Sequence, residues 1–179
     1  MKKICDYFCD LRHLALFVAG VSIFSLGSAL VMQYGFNILP CHLCYEQRKP
    51  YWATIALGFA AWAAFKKSPK ATFILLLLSG AAYAANIGIS FFHIGVEQGW
   101  WKGLIGCGGE GATLPENATI EQLKEYLKNR PIVQCDIPGF VLFGISLTTY
   151  NFMLSVFLTV FTFFHAIKGY KSVKAAPKA

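Results

Sequence analysis

Residues 71–93 read ATFILLLLSGAAYAANIGISFFH, without one charged side chain. About 20 consecutive apolar residues suffice for a helix to cross a hydrocarbon core about 30 Å thick. The stretch is therefore read as a membrane span, and the rest of the chain is organised around it. Three further uncharged stretches, residues 13–45, 50–65 and 137–167, lie on either side. The chain is 56% hydrophobic and only 14% charged, against roughly 25% charged in a soluble domain, which argues against a soluble enzyme. The expected fold is all-α, a single polytopic transmembrane domain over residues 1–179. It is a four-helix transmembrane bundle with spans at about 14–34, 45–65, 71–93 and 140–165.

The second stretch, Pro50–Phe65, is only about 24 Å long at 1.5 Å per residue. Its helix has to start near Cys44 or Tyr45, with Arg48 and Lys49 in the first turns and Pro50 close to the start, where a missing amide is tolerated. The run from His13 to Tyr34 exceeds the 7–15 residues of a signal-peptide core, so it is read as a retained first span. The net charge of +7 matters through its distribution. The amino-terminal segment, the Lys66–Lys70 loop and the tail hold 10 basic residues, with only Asp6 and Asp10 opposing them. The positive-inside rule then makes both termini and that loop cytoplasmic in a multi-pass membrane protein. Residues 35–44 and the long loop 94–139 then face outward. The partner implied by this charge is the lipid bilayer, with no nucleic acid.

Gly80 and Ala84, four apart, are expected to let helices approach closely, and Asn86 and Asn151 to hydrogen-bond between helices. In the long loop, Thr119-Ile-Glu-Gln122 has the form of a capping box, and Ile120, Leu123 and Leu127 recur at helical spacing up to Pro131. A short amphipathic helix is expected there, and a disordered tail from Lys171.

Topology splits the six cysteines. Cys5 and Cys9 face the cytoplasm; Cys41, Cys44, Cys107 and Cys135 face the oxidising side. The spacing Cys41-His-Leu-Cys44 serves metal binding and redox chemistry alike, so its surroundings decide. At a helix amino terminus the dipole favours the thiolate, and Arg48 follows Cys44 at i+4. A thiolate attacks disulfides and leaves readily in exchange, whereas a staple closing so short a loop constrains almost nothing. The pair therefore reads as catalytic. Cys107 and Cys135 read either as a staple limiting the entropy of a long loop or, given the glycines around Cys107, as a mobile second pair.

Electrons reaching Cys41 and Cys44 need an acceptor, and a lipid-soluble quinone is the one at hand. Its reduction puts charge on the carbonyl oxygens, which placed donors would stabilise. Arg48, Gln33 at the outer end of span one and His93 at the outer end of span three are the candidates. The bland alternatives are a snorkelling arginine, an interfacial glutamine and a helix-end histidine.

Pro40-Cys-His-Leu-Cys-Tyr-Glu-Gln-Arg48 resembles the Pro-Cys-x-Leu-Cys-x-x-Gln-Arg signature of the DsbB family of bacterial inner membranes. His93-Ile-Gly-Val-Glu-Gln-Gly-Trp-Trp101, Cys107-Gly, Cys135-Asp and Phe143-Gly-Ile-Ser146 with Asn151 follow in the family's order. After Cys135-Asp136 many members carry a tryptophan; this chain has Ile137-Pro-Gly-Phe140. The resemblance implies a four-helix membrane protein that reoxidises a periplasmic thioredoxin-fold oxidase of the DsbA type and passes two electrons to ubiquinone or menaquinone. It implies that Cys107 forms the mixed disulfide with the partner, that Cys135 pairs with Cys107, and that Cys41 and Cys44 reoxidise that pair. Cys44 then meets the quinone, supported by Arg48, with Gln33 and His93 as further contacts.

Three rival readings stand beside this one. A relative of vitamin K epoxide reductase would carry its Cys-x-x-Cys near the end of a span. A metal-handling membrane protein would use Cys41, His42 and Cys44 as soft ligands. A scaffold with two staples would keep cellular disulfide formation intact after Cys41→Ser.

Overall fold

A computed structural model of the chain describes residues 8–103, 119–121 and 135–175. Four long helices dominate them: α1 (Leu11–Gly35), α2 (His42–Ala64), α3 (Pro69–Glu97) and α4 (Leu147–Ala175), with two-residue strands β1 (Val141–Leu142) and β2 (Ile145–Ser146) before α4. The chain starts its helices where hydroxyl, carboxylate or thiol side chains take up orphan amides. Asp10 accepts from the Arg12 amide, Ser68 from that of Ala71 and Cys41 from that of Cys44.

The helices form an antiparallel bundle in which α3 packs against α2 and α4, and α1 packs chiefly against α2. Leu14, Val18, Leu76, Tyr83 and Leu158 fill its centre. Helices α1, α3 and α4 are long and apolar enough to cross a membrane, yet only 33% of each apolar window is buried. Phe24, Trp52 and Val160 are among the large side chains left uncovered. An apolar surface of that extent is satisfied by lipid.

Helices long and apolar enough for the spans expected at 14–34 and 71–93 appear, each extended at both ends. The other two differ. Helix α2 is not among the helices apolar enough to span, because Glu46, Arg48 and Lys49 sit in its first turns. It begins at His42, so Pro50 lies two turns inside, and the Glu46 carbonyl loses that amide donor. Helix α4 begins at Leu147 instead of near residue 140. Residues 141–146 form an antiparallel hairpin, Val141 pairing with Ser146 and Leu142 with Ile145. Phe143 and Gly144, at φ 51° and 79°, make its two-residue turn, the geometry that closes a tight hairpin. At the other end α4 continues to Ala175, through the lysines expected to be disordered. The helix expected at 120–127 lies mostly outside the described residues, with Ile120 and Glu121 helical.

Gly80 meets the Phe163 ring of α4 as expected of a close approach, whereas Ala84 faces outward. The interhelical bonds of the asparagines are present. Asn86 Nδ2 donates to Ser155 Oγ at 3.0 Å. Asn151 Nδ2 donates to Gln47 Oε1 at 3.1 Å and Ser90 Oγ at 2.9 Å, while its Oδ1 accepts from Tyr51 OH at 2.6 Å. Asn151 thus ties α4 to both α2 and α3. Asn151→Leu should lower stability by about 1–2 kcal/mol, near the upper range for interhelical hydrogen bonds in membranes, measured by unfolding in mixed detergent micelles.

Candidate functional site

The outer end of the bundle collects the polar side chains of four segments. Cys41 caps α2 and Cys44 lies in its first turn, their Sγ atoms 2.7 Å apart. Cys41 is 5% exposed, and its sulfur accepts the Cys44 amide at 3.2 Å. The two thiols are unequal. Cys41 is pushed well above the usual thiol range by its hydrogen bond to Cys44, by burial and by the neighbouring charge. Cys44 is held below that range, first by the hydrogen bond from Cys41 and also by the Arg48 charge, while burial and Glu97 oppose the shift. Of the two sulfurs, that of Cys44 is the one whose thiolate is favoured.

Arg48 reaches across to α1, donating through Nη1 to Gln33 Oε1 at 2.6 Å and through Nη2 to the Ala29 carbonyl at 3.4 Å. Its guanidinium lies 5.1 Å from the Tyr45 ring centroid. Gln33 therefore acts on Arg48, holding the guanidinium near the pair.

His93, on α3, comes to Cys41. Its Nε2 is 3.5 Å from Cys41 Sγ, and its Nδ1 is 3.0 Å from Gln47 Nε2 and 3.3 Å from Thr148 Oγ1. Glu97, one turn on, lies 3.8 Å from Nε2 and accepts from Thr148 and Ser146, both at 2.6 Å. The side chains of His93 and Glu97 are 3% and 5% exposed. Cys135 is fully buried in an apolar cluster with Cys41, Leu43 and Val96, and its backbone touches His93.

Beside the pair opens a cavity of about 290 Å³, with Cys44, Arg48 and His93 on its wall and Phe24, Met32 and Leu154 giving it an apolar lining. Ile137 and Phe140 line it as well, so the segment after Asp136 helps to close it.

Five of the residues singled out from the sequence thus converge with Cys135: Cys41, Cys44, Arg48, Gln33 and His93. Cys107 lies outside the described residues. His42 is exposed and faces away from the pair, because successive residues of a helix point about 100° apart; His93 takes the position next to the sulfurs. Sequence reading missed Glu97, Gln47 and Thr148 as partners of His93. The i, i+4 spacing of His93 and Glu97 was a usable signal. Thr148, 55 positions away, carried none.

A reduced Cys44 should therefore react with iodoacetamide with an acid limb below that of a free cysteine measured alongside. The sign follows from the lowered pKa: the thiolate persists as pH falls through the range where an ordinary thiol is protonated. Arg48→Gln should move that limb upward, read by mass spectrometry of the alkylated peptide.

A helical bundle that leaves its apolar faces to lipid and buries an activated dithiol at one end defines a membrane thiol oxidoreductase. A family model described as disulfide bond formation protein DsbB matches residues 11–165, and the chain belongs to the DsbB family. An uncharacterized protein of Rickettsia prowazekii (strain Madrid E), RP370, is 30% identical over 150 residues, covering 84% of each chain.

Proposed function

We propose that the chain is a quinone-dependent thiol oxidase that generates disulfides at the periplasmic face of a bacterial inner membrane. In this reading α2 is the fourth span of a single transmembrane domain, both termini are cytoplasmic, and the active cysteines are periplasmic. The substrate is the reduced dithiol of a thioredoxin-fold, DsbA-type partner, and the electrons end on ubiquinone or menaquinone.

The observation that carries the reading is the close, unequal pair, sulfurs 2.7 Å apart with Cys44 shifted towards the thiolate and Cys41 towards the thiol, opening onto an apolar cavity. A thiolate of the partner attacks Cys107 of the Cys107–Cys135 disulfide and releases Cys135 as a thiolate. Cys135 attacks Cys41 of the Cys41–Cys44 disulfide and expels Cys44, the better leaving group because its thiolate is the stabilised one. The partner's second thiolate then releases Cys107, which closes on Cys135 and frees Cys41. Packing of Cys135 against Cys41 suits the second exchange.

The cavity fits a quinone ring, since it is apolar with a few convergent donors. A bound quinone supplies an acceptor for two electrons and two protons. Arg48 and His93 are the groups to hold its carbonyl oxygens, and Gln33 fixes the direction of Arg48. Cys41, whose sulfur lies 3.5 Å from His93 Nε2, gives its proton up as the pair closes again.

Quinone reduction by the purified protein, supplied with a reduced DsbA-type partner, tests the proposal. Wild type should turn over, and Cys44→Ser and Cys107→Ser should both stop. Full turnover by Cys107→Ser reduces the loop pair to a staple, and no quinone reduction by wild type overturns the assignment.

A further inference from the structure

The side chains that would pass electrons also form a ligand set for a soft metal ion. The ligand atoms of Cys41, Cys44 and His93 lie within 4.8 Å of one another, and no other group of this kind occurs among the described residues. Zinc binds thiolate at about 2.3 Å and imidazole nitrogen at about 2.0–2.1 Å, so a tetrahedral site sets sulfur and nitrogen about 3.6 Å apart. Cys41 Sγ and His93 Nε2 are 3.5 Å apart. The sulfurs, 2.7 Å apart, have to open to about 3.8 Å, and Cys44 borders the cavity that gives it room.

The surroundings fit a metal as well. A ligating imidazole is oriented by a partner on its other nitrogen. Here Nδ1 faces the Gln47 side-chain amide at 3.0 Å and Thr148 Oγ1 at 3.3 Å, and Thr148 donates in turn to Glu97 Oε1. Two thiolates and a neutral imidazole cancel the charge of a divalent ion, so the buried complex carries no net charge and avoids the desolvation cost of an isolated ion. Glu97, 3.8 Å from Nε2, is engaged by Thr148 and Ser146 and is not one of the three converging ligands.

We infer that the reduced protein binds one zinc-class soft divalent cation through Cys41, Cys44 and His93 Nε2, and that the oxidised protein does not. Binding releases the remaining thiol protons to solvent, with no change in oxidation state. The metal competes with disulfide formation for the same sulfurs, so it holds the enzyme in its reduced, idle state. This inference goes beyond the oxidase reading and does not rest on it, because neither quinone nor partner takes part.

The test is a Cd²⁺ titration of the full-length protein in detergent, reduced with a phosphine, in a Cys5→Ser, Cys9→Ser, Cys107→Ser, Cys135→Ser background that removes the competing thiols. The readout is thiolate-to-metal absorption in the ultraviolet. One equivalent should bind, and prior oxidation of the pair should abolish binding. His93→Ala should weaken binding at least about 100-fold, the upper end of what loss of an outer-shell partner costs. Absence of absorption in the reduced protein or undiminished affinity in His93→Ala overturns the site. Failure of quinone reduction leaves these outcomes unchanged, so the two proposals fall separately.

Discussion

Cys41→Ser should lower turnover with a reduced partner to below about one part in 10⁴ of wild type, the scale of loss when a nucleophile is removed from a catalytic unit. The cause is the absence of a sulfur for Cys135 to attack and for Cys44 to close upon. The same variant should leave the acid limb of Cys44 alkylation nearly in place. A serine hydroxyl can still donate to the Cys44 thiolate from a position 2.7 Å from Cys44 Sγ in the native pair. Cys41→Ala removes that donor and should move the limb upward. Stopped-flow quinone absorbance and alkylation against pH together separate the two jobs proposed for Cys41, disulfide exchange and stabilisation of the Cys44 thiolate. Retained turnover in Cys41→Ser would remove the pair from the electron path.

The second large effect falls at the opposite end of the bundle. Gly169→Val should destabilise the protein by about 2–3 kcal/mol, the usual scale of overpacking. A Cβ at Gly169 would lie 2.2 Å from the Cys9 carbonyl oxygen and 2.9 Å from Leu11 Cδ2. The first obstacle is backbone, which cannot rotate out of the way as a side chain can, so α4 has to move from the start of α1. Gly88→Ala is the control. Among the described residues no atom beyond its own stretch of helix lies within 4 Å of that added Cβ, and the change should stay within about 1 kcal/mol of wild type. Unfolding in mixed micelles measures both, and equal behaviour of the two variants would refute the packing argument.

These predictions differ in how far they were legible in the sequence. The cysteine pair, Arg48 and the proximity of Gln33 followed from local rules: a helix start after Pro40, a four-residue spacing, and spans long enough to bring residues 33 and 48 to one depth. The start of α4 did not follow. Residues 137–146 carry no charge, so hydropathy extends the span through them. Yet Phe143 and Gly144 adopt positive φ and fold the segment into a hairpin that helix periodicity cannot register. The helical continuation to Ala175 was hidden for the opposite reason, since charge in the tail masked its helix-forming lysines and alanines.

The sequence by itself determined three long apolar helices, through uncharged runs matched to bilayer thickness, and the cysteine pair at the start of α2, through its spacing and position after Pro40. Both are local properties read along one chain. Only the tertiary structure decided that His93, and not His42, meets the sulfurs, that Glu97 and Thr148 stand behind it, and that Cys135 is buried against Cys41. These contacts join segments about 40 to 100 positions apart. They depend on how each helix is rotated about its axis within the bundle, which is set by the packing of all four helices together.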